Sequence, residues 1–268
     1  MKIVNRQPGA SADISASRHT QWRELRTLLL LAAGALVAIY FAIGVIVDLA
    51  VSYISVEREV ALFQKFDPIH LSDDISDGHN SEQLQNAQRI LDQLVVDHSV
   101  PAIPYTLVLL DQQEPNAFAI PGGTLGVTRG LLELVNDDVE LGFVLAHELG
   151  HFKHRDHLRG LGRAIGITAI FATVFGNTID DNAMGMVLTT ALGNAYSRQQ
   201  ELAADTFGLQ LIYRQLGTTE GFDRLFRVLE EQSETPEWLF MMATHPAPSD
   251  RIRQLRVIAS ELESTAAK

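Results

Sequence analysis

The sequence contains no cysteine among its 268 residues. Disulfide bonds, thiolate metal ligands and cysteine nucleophiles are therefore excluded together. Positive charge is also scarce, because 21 basic residues stand against 33 acidic ones and the net charge is −12. A chain of this charge cannot neutralise many phosphate groups, so we expect no nucleic acid among its partners.

Charged side chains are missing from one long stretch near the N-terminus, TLLLLAAGALVAIYFAIGVIV at residues 27–47. About 20 such residues form a helix roughly 30 Å long, the thickness of the hydrocarbon core of a bilayer. A cleaved signal peptide is the alternative, but its apolar region is usually only about 7–15 residues long. The following VDLAVSYIS is also a poor cleavage site. The stretch therefore favours a retained single-pass anchor whose partner is membrane lipid.

The charges that flank this stretch predict its orientation. Residues 1–27 carry five basic and two acidic side chains, a net charge of +3, so the rest of the chain carries −15. Because positive segments stay on the cytoplasmic side, we expect a cytoplasmic N-terminus at the inner (cytoplasmic) membrane. The acidic part would then be extracytoplasmic, in the periplasm of a bacterium or the intermembrane space of a mitochondrion.

The composition also predicts how the chain is divided. We expect a cytoplasmic tail at 1–26, a transmembrane anchor at 27–48, a juxtamembrane helix and linker at 49–80, and a folded domain at 81–268. Within that domain, apolar residues recur on one helical face over residues 82–97. Three short strands are predicted at 105–110, 116–120 and 124–128, with Pro121-Gly122-Gly123 as a turn. The expected fold class is α+β, mainly helical, with a small sheet.

The next segment, LGFVLAHELGHFKHRDH at residues 141–157, holds four histidines. A helix is predicted to begin near Asp137, which together with Glu140 resembles a capping box. His147 and His151 are four residues apart, so they lie one turn apart on one face of this helix. Two imidazoles in that arrangement can share one zinc ion.

Glu148 directly follows His147, where a carboxylate can act as general base on a zinc-activated water. A catalytic zinc site needs a third protein ligand, which here must be histidine, aspartate or glutamate. The segment RQQELAADTFGL supplies Glu201 and Asp205 on one face of a second helix. The first would be a ligand and the second would orient a ligand histidine. The alternative, two solvated helix charges, agrees poorly with their apolar neighbours.

His154 also faces the same way as His147, but two helical turns, about 10 Å of rise, separate them. This is too far for three histidines of one helix to bind a single zinc ion without distortion. His154 and His157 are therefore interpreted as the polar, basic continuation of the helix, where cations suit the negative end of the helix dipole.

Two further segments, residues 164–179 and 182–197, carry no charge and are too short to span a bilayer comfortably. One interpretation is a pair of packed helices or a lid beside the site. The other is a hairpin that touches the membrane surface.

The motifs HELGH, ELAAD and THPAPSDRI, preceded by NAFAIPGGTLGVTRGLL, resemble the membrane-associated gluzincin metallopeptidases. This is the family of HtpX, the CAAX prenyl proteases and the periplasmic BepA and LoiP proteases. The resemblance covers roughly residues 80–258 and implies a zincin-like metalloprotease domain with one zinc ion per chain. It implies zinc ligation by His147, His151 and Glu201, general-base catalysis by Glu148, and orientation of a ligand histidine, expected to be His147, by Asp205.

The resemblance adds three residues outside these two helices. His245 matches a histidine near the active site that approaches the metal or stabilises the oxyanion, and is a second candidate catalytic residue. The alternative is that this His-Pro loop only closes the fold. Asn116 and Arg251 are candidate substrate-binding residues; the first matches a position at the cleft edge, and the second matches a structural or substrate-facing arginine.

The expected function is that of a membrane-anchored zinc endopeptidase that acts on proteins or peptides in quality control of misfolded envelope or membrane proteins. HtpX and the prenyl proteases have several membrane spans, whereas this sequence has one convincing span. We therefore expect a single-pass member, without the tetratricopeptide domain of the BepA type. Two alternatives are a zinc-binding chaperone-like scaffold and a non-catalytic membrane adaptor whose histidines are core residues. The sequence indicates neither the cleavage preference nor the oligomeric state.

Overall fold

The computed structural model describes residues 14–63, 82–175, 196–231, 245 and 249–266. Its contacts divide the chain into two units, Met1–Ile46 and Val47–Lys268. In the first unit the described residues belong to α1 (Ile14–Tyr53). Trp22–Tyr53 within α1 is long and apolar enough to cross a membrane, and its most apolar window is entirely unburied with a mean hydropathy of 2.6. A signal sequence would share this length and composition, so both interpretations of the stretch stay open.

The second unit is mainly helical with a small sheet, as the sequence predicted. Its first part holds the end of α1, then α2 (Val56–Phe63) and α3 (Glu82–Leu94). The sheet strands are β1 (Thr106–Leu110), β2 (Ala117–Ile120) and β3 (Thr124–Thr128). The helices that follow are α4 (Arg129–Leu134), α5 (Asp138–His154), α6 (Asp156–Phe175), α7 (Arg198–Leu216), α8 (Arg224–Glu231) and α9 (Ser249–Ala266).

The three strands are ordered β1-β3-β2, so among the described residues β2 lies at an edge of the sheet. β1 pairs in parallel with β3, and β2 pairs antiparallel with it, with Ala117 opposite Val127 and Ile120 opposite Thr124. The Pro121-Gly122-Gly123 turn separates β2 from β3, and both of its glycines have positive φ, 93° and 105°. Glycine adopts this conformation without strain, so the predicted turn is confirmed.

Helices α5 and α7 form the centre of the domain, and small residues allow their close approach. A Cβ atom built on Gly150 would lie 2.8 Å from the Cα atom of Ala204, and one built on Gly208 would lie 3.1 Å from the backbone nitrogen of His147. Around this pair, the core takes buried leucines from α3, β1 and β3 and three phenylalanines centred on Phe143, whose ring meets that of Phe222 at 5.3 Å.

The predicted start of α5 is found in the structure, whereas its predicted C-terminal extension is not. Asp137 is the N-cap and accepts a hydrogen bond from the backbone nitrogen of Glu140, as predicted. The Glu140 side chain, however, accepts from the nitrogen of Asn136, so the box is only half formed. The prediction that the helix continues through His157 is wrong: α5 ends at His154, and His157 lies on α6 and is buried.

Candidate metal centre

The close packing of α5 on α7 brings together the side chains that the sequence proposed as ligands. His147 and His151 lie on α5, Glu201 lies on the first turn of α7, and His245 lies beside them. One ligand atom from each of these four residues lies within 4.8 Å of the others. Glu201 and His151 are fully buried, and His147 is 7% exposed. The four residues therefore form one enclosed donor cluster.

The separations within the cluster suit a tetrahedral metal. Nε2 of His147 lies 3.1 Å from Nε2 of His151 and 3.3 Å from Nδ1 of His245. Oε1 of Glu201 lies 3.1 Å from Nδ1 of His245 and 3.4 Å from Nε2 of His151. Atoms that bind a tetrahedral zinc ion at about 2.0–2.1 Å are roughly 3.3 Å from one another.

Two carboxylates orient the two helix-borne histidines. Oδ1 of Asp205 lies 2.8 Å from Nδ1 of His147, and Oδ2 of Asp156 lies 3.0 Å from Nδ1 of His151. An ionised carboxylate can only accept a hydrogen bond, so each imidazole carries its proton on Nδ1. The two Nε2 atoms lie 3.1 Å apart, an arrangement that a cation bound by both satisfies and a hydrogen bond between two neutral rings of this tautomer cannot.

The charge balance of the cluster also favours a cation. Four carboxylates are buried here (Glu148, Asp156, Glu201 and Asp205), and the one buried group beside them that is always positive is the guanidinium of Arg251. Although burial raises it, the charge of His245 and a hydrogen bond with His151 hold the pKa of Glu201 well below its ordinary range. The buried Oε2 atom of Glu148 has no hydrogen-bond partner in the structure, and Oε2 of Glu201 is paired with the Arg251 guanidinium, 2.6 Å away. Buried anions with free lone pairs are the chemistry of a metal site.

The pKa of His151 reflects the same environment. Burial lowers this pKa, but hydrogen bonds with Asp156 and Glu201 and the charges of Glu148 and Glu201 raise it to about 9. A proton and a metal ion would compete for the same Nε2 lone pair. The residues present therefore fit a divalent metal of the zinc type, held by imidazole and carboxylate donors.

Arg251 is buried against the two α7 carboxylates of the site, Glu201 and Asp205. Its Nε and Nη2 donate to the two carboxylate oxygens of Asp205, the latter over 2.8 Å, and Nη1 lies 2.6 Å from Oε2 of Glu201. That last contact is a buried ion pair. The side chain is 5% exposed and borders a small pocket of about 40 Å³.

That pocket is the concave part of the site. Besides Glu148, His147 and His245, its walls include Ala117 at the start of β2 and the apolar Phe143 and Phe226. A larger groove, about 790 Å³, runs along α3 and is bordered by none of the candidate ligands. The chemistry therefore belongs to the smaller pocket. Asn116, just before β2, is buried, and its side-chain oxygen has no hydrogen-bond partner.

The structure adds two residues that the sequence analysis missed. Asp156 orients His151, but it follows that histidine by five residues across a non-helical turn, so helical spacing gave no signal. Tyr196 stacks on the His151 ring with centroids 3.9 Å apart and an interplanar angle of 21°. Burial and the charges of Glu148, Asp156 and Glu201 raise its pKa well above the ordinary value, so it stays protonated. A tyrosine directly before a helix N-cap belongs to no sequence motif of a metal site, so nothing in the sequence pointed to Tyr196.

We expect Gly150→Ala to destabilise the protein by about 1–3 kcal/mol, the usual cost of overpacking, and to weaken metal binding. The added methyl group would meet the Ala204 backbone and force α5 away from α7, which carries Glu201. Thermal unfolding and zinc titration measure the two effects. Gly34→Ala is the matched control, since nothing lies within 4 Å of a Cβ atom there. Equal stability of the Gly150→Ala variant and the wild type would contradict this account of the packing.

Known proteins are similar to this chain in sequence. The model of peptidase family M48 matches residues 81–259. "Metalloendopeptidase OMA1, mitochondrial" from Danio rerio is 30% identical over 186 residues, which cover 61% of this chain and 37% of that relative. A "Protease HtpX homolog" from Salinibacter ruber is 28% identical over 190 residues, covering 58% of this chain and 68% of the relative.

Another "Protease HtpX homolog", from Methanopyrus kandleri, is 28% identical over 228 residues, covering 68% of this chain and 70% of the relative. The chain thus spans little more than a third of its OMA1 relative and about two thirds of the HtpX homologs. The motif-based resemblance to these peptidases is confirmed. Because the family model covers more than half of the chain, the chain belongs to peptidase family M48 and is a metallopeptidase, a hydrolase of peptide bonds.

Proposed function

We propose that the chain is a membrane-anchored endopeptidase that uses one zinc ion. In this proposal His147, His151 and Glu201 hold the metal, and Asp205 and Asp156 orient the two histidines. The observation that carries the proposal is the convergence of two Nε2 lone pairs and a fully buried carboxylate, with Glu148 beside them. When bound, zinc polarises the scissile carbonyl and makes the attacking water a stronger acid.

Glu148 is the proposed general base and acid. It is 2% exposed, and its Oε2 atom is free of hydrogen-bond partners in the structure. A carboxylate in that position can take the proton of the attacking water and deliver it to the leaving amine. The pocket that it borders is about 40 Å³, enough for a water molecule.

His245 has two proposed roles that the geometry supports. Nδ1 lies 3.1 Å from Oε1 of Glu201, within the donor cluster, whereas Nε2 lies 3.7 Å from Oε1 of Glu148. The first nitrogen is placed to act as a fourth ligand. If the metal did not hold this imidazole, Nε2 would lie beside the general base. Its N–H could then donate to the oxyanion that forms on the scissile carbonyl.

The substrate is proposed to bind as an extended peptide along β2. This strand is an edge of the sheet among the described residues, and its first residue, Ala117, borders the pocket. An added strand would pair with the β2 backbone and place its side chains in pockets such as the one between Phe143 and Phe226. Asn116, at the start of this edge, is the proposed polar contact.

The wider setting is proposed from α1 and from the relatives. The apolar stretch Trp22–Tyr53 would anchor the chain once in the membrane, with its N-terminus in the cytoplasm and the metallopeptidase domain, from residue 81, outside it. Misfolded envelope or membrane proteins are then the proposed substrates. A chaperone-like zinc scaffold is the second candidate, and a wild-type protein that binds zinc but does not cleave casein would identify it. Residues 176–195 lie outside the described residues, so the lid and hairpin interpretations stay predictions.

Removal of metal is expected to abolish casein cleavage by the full-length protein in detergent, and Zn²⁺ is expected to restore it. The reason is that the four donor atoms lie close enough together to hold one metal ion, and none of these four side chains can replace that ion as the electrophile that polarises the scissile carbonyl. Elemental analysis should find one zinc ion per chain, and activity should follow zinc content through chelation and readdition. Cleavage that persists in fully chelated protein would overturn the proposal, and zinc binding without cleavage would favour the scaffold.

A further inference from the structure

The metal-bearing helix α5 ends at a strained residue. Its C-cap, Arg155, has φ 60° and ψ 30°, and no other non-glycine residue in the described part of the chain has a positive φ. Glycine is the usual residue in this conformation because an L side chain is strained there. Tertiary contacts must therefore hold an arginine at this position.

Those contacts lead to the segment that follows the candidate membrane span. Nη1 of Arg155 donates to the carbonyl oxygen of Val51, at 3.2 Å, and to that of Ile54. Nη2 donates to Oε2 of Glu59, at 3.0 Å. Val51 belongs to the last turn of α1, and Glu59 lies on α2. One arginine side chain thus joins the end of α5 to both helices.

Glu59 is the centre of this arrangement. It is 1% exposed, and its Oε1 atom lies 2.8 Å from Nε2 of His157 and accepts from the backbone nitrogen of Gly122. Although burial raises it, hydrogen bonds from His157 and Arg155 hold the pKa of Glu59 below its ordinary range. A buried carboxylate with three donors is rigidly held and costly to remove.

The two residues that Glu59 binds flank the carboxylate that orients a candidate metal ligand. Asp156 stands between Arg155 and His157, and its Oδ2 atom lies 3.0 Å from Nδ1 of His151. His157 also reaches the ligand directly, since its Nδ1 atom lies 3.3 Å from the carbonyl oxygen of His151. One acceptor, the Glu59 carboxylate, thus holds the side chains of both residues that flank Asp156.

We propose that Glu59 is a positioning residue for the metal centre. By holding Arg155 and His157, Glu59 fixes Asp156 and, through it, the imidazole of His151. This inference rests on the proposed role of His151 as a ligand. Under this proposal, residues 51–59 contribute to the metal centre of the metallopeptidase domain and are more than a linker. The carboxylates around a ligand histidine set its orientation and basicity, and their loss typically lowers metal affinity or activity by about 10–100-fold.

Glu59→Gln is the first test, in full-length protein in detergent. It keeps the shape of the side chain and removes the charge that Arg155 and His157 share. We expect about a 10-fold fall in zinc affinity and in kcat for casein, with KM unchanged, and an altered visible spectrum of the Co²⁺-substituted protein. Glu57→Gln, an exposed carboxylate on the same helix, is the matched control. Wild-type zinc affinity, kcat and Co²⁺ spectrum in Glu59→Gln would overturn the proposal, whatever its melting temperature.

Arg155→Gly separates positioning from helix capping. Glycine suits the left-handed C-cap better than arginine, so a purely structural account predicts a variant at least as active as the wild type. Our proposal predicts the opposite, a loss of zinc affinity and kcat of about 10-fold, because the contacts to Glu59 and to the end of α1 disappear. An Arg155→Gly variant with full affinity and activity would contradict the proposal.

Hydrogen exchange tests the same contacts without relying on metal or activity. In metal-free protein, Glu59→Gln should speed amide exchange in a peptide covering residues 151–159 several-fold more than Glu57→Gln does. Equal exchange in the two variants would overturn the role of Glu59. A wild-type protein that binds no zinc would instead contradict the proposed function, and the exchange result would still decide whether Glu59 holds this turn.

Discussion

Glu148→Gln is expected to reduce casein cleavage by about 10²–10⁴-fold, the usual contribution of a general acid–base group, and to leave one zinc ion bound per chain. Glutamine has nearly the same shape but cannot accept the proton of the attacking water. The metal should stay because none of the four converging donors is changed. Initial rates of cleavage and elemental analysis on the same preparation measure both quantities.

The control for this prediction is Glu133→Gln, an exposed carboxylate on α4. It carries the same change of charge and should cleave casein at the wild-type rate. If Glu148→Gln also cleaved at that rate, Glu148 would not be the base, and the unpartnered Oε2 atom would need another explanation. If Glu148→Gln lost its zinc as well, the residue would act in assembling the metal centre.

Arg251→Ala is expected to destabilise the metal-free protein by about 3–5 kcal/mol, the usual cost of removing one partner of a buried ion pair. Its guanidinium is the counter-charge of both Glu201 and Asp205, and each of these carboxylates is fully buried. Without it, both carboxylates would lose an ionic partner at a place where water cannot replace it. Denaturant unfolding with chelator present measures the effect, and zinc should recover part of the lost stability because it supplies positive charge.

Arg253→Ala is the matched control, because Arg253 lies on the same helix with its side chain 74% exposed. An exposed pair of this kind contributes at most about 1 kcal/mol. The comparison also tests the prediction that Arg251 binds substrate. A substrate-binding arginine would raise KM on substitution and leave stability nearly unchanged, whereas the buried ion pairs predict the reverse. Equal stability of the two variants would contradict the structural interpretation.

Local sequence patterns predicted the elements that carry the site. The three strands were predictable from their β-branched alternation and the glycine turn, and Asp137 from the preference of helix N-caps for aspartate. The pairing of β1 with β3 rather than β2 was not predictable, because each strand is compatible with several partners until helices cover the sheet.

The end of α5 shows where such reasoning fails. The basic residues after His151 satisfy every local rule for a continuing helix, yet the chain turns at Arg155. Contacts with Val51, Ile54 and Glu59, about a hundred residues away in sequence, hold that turn. Helical periodicity cannot report contacts at such separation, so the burial of His157 and the role of Asp156 were both missed.

By itself, the sequence determined which chemistry is possible: the absence of cysteine limited the ligands to histidine and carboxylate, and a four-residue spacing placed His147 beside His151 and Glu201 beside Asp205 on their helices. Only the tertiary structure decided which groups meet. It placed Glu201 against the two histidines, put Arg251 beside the carboxylates, and brought Glu59 to the end of α5. The physical reason is that spacing along a helix is set by local backbone geometry, whereas contacts between helices depend on how the whole core packs.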